Sequence, residues 1–204
     1  MHFDNLQLFA LIMFALINAP ANPARWTLTL ALAVAQGLIW LVPLALSLAW
    51  LRGGAETRRE LLQMLLVALL ALGVGQLVTR FWPQPRPFAL HLGHQFMAHA
   101  DDPGFPSDHV TVFWSLAVAA LGTLGCRRWA PVLLVLGLLV GWSRVYLGVH
   151  FPLDVLGAAP VALAGVLVER LLRRPLAPLW AALLRLDDGL HEQLLTLWRR
   201  RRCA

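Results

Sequence analysis

The stretch WTLTLALAVAQGLIWLVPLALSLAW, residues 26–50, decides the fold, because it contains no ionisable side chain. An apolar run of about 25 residues is long enough for a helix to cross the hydrocarbon core of a bilayer. The rest of the chain agrees: 59% of its 204 residues are hydrophobic and only 14% are charged. Further apolar segments at 61–79, 110–126, 129–143 and 155–168 predict an all-α polytopic membrane helical bundle with five transmembrane helices. Helices satisfy every backbone polar group within one segment, which lipid requires and water does not. A water-soluble domain is excluded.

All 17 basic side chains are arginines, and their positions fix an orientation. Arg52, Arg58 and Arg59 lie between the first two spans, and Arg127 and Arg128 between the third and fourth. Arg170, Arg173, Arg174, Arg185 and Arg199 to Arg202 follow the fifth. The positive-inside rule places all three groups, and the C-terminus, in the cytoplasm. The other side holds only Arg25, Arg80, Arg86 and Arg144, and it is therefore expected to face the periplasm or exterior. With five crossings the N-terminus starts outside. The apolar run 6–19 is short for a span and ends in Asn18, Pro20, Asn22 and Pro23. It is expected to form an interfacial or re-entrant helix, with a sixth span as the alternative; a cleaved signal peptide is disfavoured because no positive n-region precedes it.

Two parts follow from this pattern, a membrane-embedded domain over 1–174 and an amphipathic, Arg-rich cytoplasmic tail over 175–204. In the tail Leu190, Leu194, Leu195 and Trp198 recur at helical spacing before four arginines, which suits an anionic inner leaflet. The bilayer accounts for that charge without a nucleic-acid partner. Cys126 and Cys203 both fall on the reducing side, so no disulfide is expected. Trp26, Trp129, Trp142 and Tyr146 suit interfacial anchoring.

The chemistry concentrates at the outer ends of the spans. The loop 80–107 is the longest polar interval, and Pro83, Pro85 and Pro87 restrict the backbone around Arg86. Pro106-Ser107-Asp108-His109 has the form of a helix N-terminus, with Ser107 or Asp108 as the cap and free amides suited to phosphate. Ser143-Arg144 precedes His150, Pro152 suits the first position of the fifth span, and Asp154 stands four residues after His150, within reach of its ring. Arg86, Arg144, Ser107, the Asp108 helix end and Arg80 would surround a phosphoryl group with positive charge and N–H donors. His150, oriented by Asp154, would act as nucleophile, and His109 would protonate the leaving oxygen and then deprotonate water.

Arg86-Pro87, Pro-Ser-x-His at 106–109 and Ser143-Arg144-x5-His150-x3-Asp154 together resemble the type-2 phosphatidic acid phosphatase superfamily. The resemblance implies a metal-independent phosphatase without a cofactor, built as a membrane helical bundle and working through a phospho-histidine. One departure is Thr79, where the family usually has a lysine; Arg80 beside it is the candidate substitute. Asp108 in place of a common glycine, with the run 99–109 and Arg86-Pro87-Phe88, is similar to the bacitracin-resistance type of undecaprenyl-diphosphate phosphatase, a branch that also tends to lack that lysine. The implied function is recycling of the cell-wall lipid carrier at a bacterial inner membrane, with a polyprenyl diphosphate as substrate.

Other readings compete. A broader outer-leaflet phosphatase acting on phosphatidylglycerol phosphate, phosphatidate or lipid A phosphates would use the same motifs. A lipid or antibiotic transporter component would carry polar groups mid-span, where this chain has mostly Leu, Ala, Val and Gly. Arg144 and Asp154 could be a structural ion pair between helices. His91, His94, His99, Asp101 and Asp102 could be a metal cluster, but they match no short ligand pattern and are better read as a solvated loop shaping the entrance. Asp101 and Asp102 could also tune the basic pocket, and Trp82 and Phe88 could grip the lipid tail. Oligomeric state has no signature in the chain.

Overall fold

A computed structural model describes the backbone of residues 5–202 and the side chains of 8–183 together with 185, 186 and 189. All regular elements among the described residues are helices: α1 (Asn5–Ile17), α2 (Arg25–Arg52), α3 (Ala55–Phe81), α4 (Asp108–Leu121), α5 (Ala130–Tyr146) and α6 (Pro152–Arg202). One-turn 3-10 helices at Phe88–Leu90 and Arg127–Trp129 interrupt two of the connections.

Among the described residues four helical stretches are long and apolar enough to span a bilayer: Arg25–Arg52, Ala55–Phe81, Arg127–Tyr146 and Pro152–Leu183. The expected span 110–126 is instead the short helix α4. At 1.5 Å per residue its 14 residues reach about 21 Å, against about 30 Å of hydrocarbon. α4 can be short because it is wrapped by protein. Val110, Thr111, Phe113, Trp114, Leu116, Ala117 and Ala120 are all buried, and the helix packs against α3, α5 and α6. α1, as expected, is too short to cross; its Phe14 enters the core formed by Val110, Phe113, Trp114, Val140 and Val155. The outer faces of α2, α3, α5 and α6 present Leu44, Leu48, Leu65, Leu69, Leu138, Leu163 and Leu167, as a bundle solvated by lipid requires.

Small residues bring the helices close. α3 and α6 form the broadest helix pair, and a Cβ on Gly165 of α6 would stand 2.7 Å from Ala71 Cβ and 2.8 Å from Val67 O on α3. Such approach replaces the hydrophobic drive that helices lose in lipid with van der Waals contact. α6 passes residues 174 and 175 without a break, so the tail continues the last span's helix. The tail's expected apolar face, Leu190, Leu194, Leu195 and Trp198, and arginines 199–202 fall outside the described side chains; Cys203 falls outside the described residues.

Residue Glu60 explains where α4 stops. Its buried carboxylate accepts N–H bonds from Leu124 (2.9 Å), Gly125 (3.0 and 3.1 Å) and Cys126 (3.1 Å), gathering the chain into a turn after Gly122. Three consecutive amides on the approach to α5 are thereby satisfied by one side chain. Glu60→Ala should therefore cost about 1–3 kcal/mol, seen as a lowered thermal midpoint in detergent. Glu60→Gln, which keeps one acceptor, should fall between. An unchanged midpoint for Glu60→Ala would show that water replaces the carboxylate at no cost.

Candidate active site

The C-terminal ends of α3 and α5 and the N-terminal ends of α4 and α6 meet at the bundle end opposite Glu60. The outer loop between α3 and α4 folds over them. Two backbone bonds hold the corner: Ser107 N–H donates to Asp154 O at 3.0 Å, tying the start of α4 to the start of α6, and Phe96 N–H donates to Leu147 O at 3.0 Å. Gly148 has φ +77°, and any Cβ there would collide with the His94 carbonyl. A glycine is needed at that crossing.

Asp154 sets the geometry of the histidine. Its Oδ2 accepts the Phe151 N–H at 2.8 Å and lies 3.1 Å from His150 Nδ1, with both side chains buried. The His150 Nε2 in turn lies 3.1 Å from Arg86 Nη1. An arginine can only donate, so Nε2 carries the lone pair and Nδ1 the proton that Asp154 receives. Burial foremost, with the charges of Arg144 and Arg86 acting against the opposing Asp154, pushes the His150 pKa down to about 4. The contact with Asp154 is thus a hydrogen bond to a neutral imidazole whose free nitrogen faces the arginine.

Arg86 itself is almost fully enclosed. Its Nε donates to Asp102 O at 2.9 Å and Asp102 Oδ1 at 3.1 Å, and its Nη1 donates to Val149 O at 3.0 Å. Gly104 makes this possible, since a Cβ there would stand 3.1 Å from both Arg86 Cγ and Asp154 Oδ2. Arg144 is buried at the end of α5 and places Nη2 3.3 Å from His99 Nε2. The structural pairing of Arg144 with Asp154 is not formed; Asp154 is occupied by His150 and Phe151, and Arg144 faces His99. His109, in the first turn of α4, is within electrostatic reach of Arg144, His150, His99 and Arg86.

Among the described residues three buried side-chain polar atoms have no partner: Ser107 Oγ, Thr111 Oγ1 and Arg144 Nε. Unpaired groups of this kind cost free energy unless something meets them. Two of the three belong to residues expected to bind phosphate. The third, Thr111, stands one turn beyond Ser107 on α4 and was not legible as a site residue, since a threonine at that spacing is ordinary helix filling.

Not every expected residue converges. Ser107 is the N-cap of α4 by position, but its hydroxyl makes no capping bond. The Asp108 carboxylate turns to α3, where Gln76 Nε2 donates to its two oxygens at 3.3 and 3.2 Å, so only its backbone remains for an anion. Arg80 is exposed at the end of α3 and makes no hydrogen bond or ion pair with the other site residues. Thr79 beside it donates to Gly75 O and Phe105 O, at 3.0 and 2.9 Å, pinning α3 to the loop. The loop histidines separate: His91 terminates the 3-10 turn, His94 is bound through its backbone to Asn18, and His99 alone enters the site. Among the described residues no three His, Cys, Asp or Glu side chains are grouped as metal ligands.

The bundle thus buries a carboxylate-held histidine beside Arg86, with Arg144 buried nearby. The sequence profile of the PAP2 superfamily matches residues 60–175, and the chain belongs to that superfamily of membrane phosphatases. It is 38% identical over 165 residues, 79% of this chain and 81% of the other, to YbjG of Escherichia coli (strain K12), described provisionally as an undecaprenyl-diphosphatase. It is 37% identical over 114 residues, 56% of this chain and 58% of the other, to the undecaprenyl-diphosphatase BcrC of Bacillus subtilis (strain 168). Its fold is similar to the crystal structures of Aquifex aeolicus LpxE (TM-score 0.62, 24% identity, 78% of this chain and 93% of that one) and of a transmembrane PAP2 type phosphatidylglycerolphosphate phosphatase from Bacillus subtilis (TM-score 0.58, 19% identity, 85% and 89%).

The depressed His150 pKa makes a direct prediction for the ligand-free protein. With 13C-labelled histidine in detergent, the ring signal absent from His150→Asn should keep its neutral-form shift down to about pH 5. An imidazole in an unfolded chain titrates near 6.5, so the stability owed to the neutral buried ring is complete above that value. It is lost as pH falls toward 4. A His150 midpoint near 6.5 would mean that water reaches the ring.

Proposed function

We propose that the protein hydrolyses undecaprenyl diphosphate to undecaprenyl phosphate and inorganic phosphate through a phospho-histidine intermediate. The observation that carries this reading is the neutral His150, held at Nδ1 by Asp154 and turned with its lone pair toward Arg86 among unpartnered donors. The choice of lipid is supported by the two relatives named as undecaprenyl-diphosphatases.

In this mechanism the terminal phosphoryl group enters between Arg86, Arg144 and Ser107, with the first-turn amides of α4 at Asp108 and His109 as further donors. Arg80 is too far along α3's exposed end to be more than a guide for the approaching anion. The His150 Nε2 lone pair forms the P–N bond while the P–O bond to the bridging oxygen breaks, and that oxygen leaves with its electron pair on the lipid monophosphate. His109 supplies a proton to it. Water then attacks the phospho-histidine and gives its proton to His109; the P–N bond breaks, inorganic phosphate leaves, and the electron pair returns to Nε2. Fixed positive charge stabilises the phosphoryl oxygens in both steps. No step calls for a metal or a cofactor.

The arginine distribution supports a site on the periplasmic face of a bacterial inner membrane and a cytoplasmic C-terminus. There the enzyme would return the spent carrier lipid of peptidoglycan synthesis to its monophosphate form and confer resistance to bacitracin.

Two measurements test the reading. Purified protein in detergent with EDTA should release phosphate from undecaprenyl diphosphate in preference to phosphatidate and phosphatidylglycerol phosphate. His150→Ala should lower that rate by at least about 10³-fold. EDTA-sensitive activity would refute the histidine mechanism, and equal turnover of all three lipids would refute the specific substrate. The second measurement concerns the leaving group. A lipid monophosphate, with a second pKa near 6, departs more readily than a lipid alkoxide, so His109→Ala should cost less on the diphosphate than on phosphatidate. Equal losses on both would remove His109 as the proton donor.

A further inference from the structure

We propose that His99 contacts the second, lipid-proximal phosphoryl group of a diphosphate substrate and so selects diphosphates over phosphate monoesters. This inference rests on the reading of His150 as nucleophile and of a lipid diphosphate as substrate.

The position of the ring carries it. His99 and His150 face each other edge to face, with ring centroids 6.4 Å apart and planes at 74°. A phosphorus poised for attack sits about 3–3.5 Å from Nε2. The bridging oxygen lies in line beyond it, and the second phosphorus follows one P–O–P bridge further from the nucleophile. His150 is 2% exposed and the side chain of its neighbour His99 is 21% exposed, so the second phosphoryl group, which must lie nearer the opening than the attacked one, is assigned to the side of His99. A monoester would place its ester oxygen and carbon chain at the rim instead, where an imidazole has no anion to meet.

The contacts of His99 hold it ready for that role. Nδ1 lies 3.1 Å from Ala100 O and 3.5 Å from Asp102 Oδ1, and Nε2 lies 3.3 Å from Arg144 Nη2. Without ligand, the carbonyl takes the Nδ1 proton and Nε2 accepts from the arginine. Burial, together with Arg86 and Arg144, lowers the ring's affinity for a proton, while the Ala100 carbonyl and Asp102 raise it. Arrival of the diphosphate adds negative charge beside both arginines and reverses their effect. The ring then takes a proton from solvent and donates from Nε2 to a non-bridging oxygen of the inner phosphoryl group. Asp102 joins the two parts of the device, since its Oδ1 also accepts from Arg86 Nε at 3.1 Å. The loop is fixed from outside by Asn18 at the end of α1: Asn18 Nδ2 donates to His94 O (3.0 Å) and Tyr146 O (3.1 Å), and His94 N–H donates to Asn18 Oδ1 (2.8 Å).

The test compares wild type, His99→Ala and His99→Gln on farnesyl diphosphate and farnesyl monophosphate in detergent, with pyrophosphate and inorganic phosphate as competitive inhibitors. His99→Ala should lower kcat/KM for the diphosphate 10- to 100-fold and leave the monophosphate within threefold. It should also weaken inhibition by pyrophosphate and not by phosphate, and His99→Gln, which retains a donor, should recover part of both. Equal loss on the two substrates, or an unchanged inhibitor ratio, overturns the role of His99. A wild-type enzyme with no preference for the diphosphate would instead overturn the substrate reading itself, so the two failures are distinguishable. If His99→Ala does not fold, the same ratios measured on His99→Phe, which keeps a ring without a donor, decide: selective loss on the diphosphate and on pyrophosphate inhibition supports the role, and unchanged ratios or equal loss on both substrates refute it.

Discussion

The hydrogen bond from His150 Nδ1 to Asp154 is the contact on which the rest of the site depends. One carboxylate oxygen receives both the ring and the Phe151 amide, so the start of α6 and the tautomer of the histidine are fixed together. With Nδ1 committed, Nε2 has one direction left, toward Arg86. A histidine free to rotate or to take the other tautomer would present an N–H there in place of a lone pair. Burial completes the arrangement by keeping the ring unprotonated among cations.

Such a site needs a frame that holds charged groups out of water without collapsing on them. The frame is the central helix α4, shorter than a bilayer is thick and enclosed by α3, α5 and α6. Its two ends are held differently. At one end the Ser107 N–H ties the helix start to Asp154 O beside the buried arginines; at the other, the Glu60 carboxylate gathers the amides that follow the helix. Arginines crowd the Glu60 end, around the turn after α2 and the start of α5, while of the four toward the opposite end Arg86 and Arg144 are drawn into the site and Arg25 and Arg80 stay exposed.

The loop between α3 and α4 turns this scaffold into a shaped cleft. It contributes Arg86, His99, Asp102 and Gly104, and it is anchored by Asn18, a residue that closes the short first helix. α1 therefore belongs to the catalytic end through its C-terminus, whatever its relation to the bilayer. Nothing about Asn18 in the chain announces this. An asparagine two residues before a proline suits any helix end, and its partners are 76 and 128 residues away.

Much of this protein was legible in order and spacing. Apolar runs predict helices because lipid leaves the backbone no alternative, and the four-residue step from His150 to Asp154 predicts their contact because one helical turn sets the reach of a side chain. Arg86, Ser107, Arg144, His109, His150 and Asp154 were singled out as candidates in this way, since each lies in a short motif, and the structure brings them to one end of the bundle. Tertiary structure alone decided the rest. It separated His99 from His91 and His94, turned Asp108 away to Gln76, left Arg80 outside, brought in Thr111 and ended α4 at Leu121. Each of these depends on which residue from another helix arrives opposite, and a hydrogen bond across more than sixty residues, such as Glu60 to Cys126, has no local periodicity to reveal it.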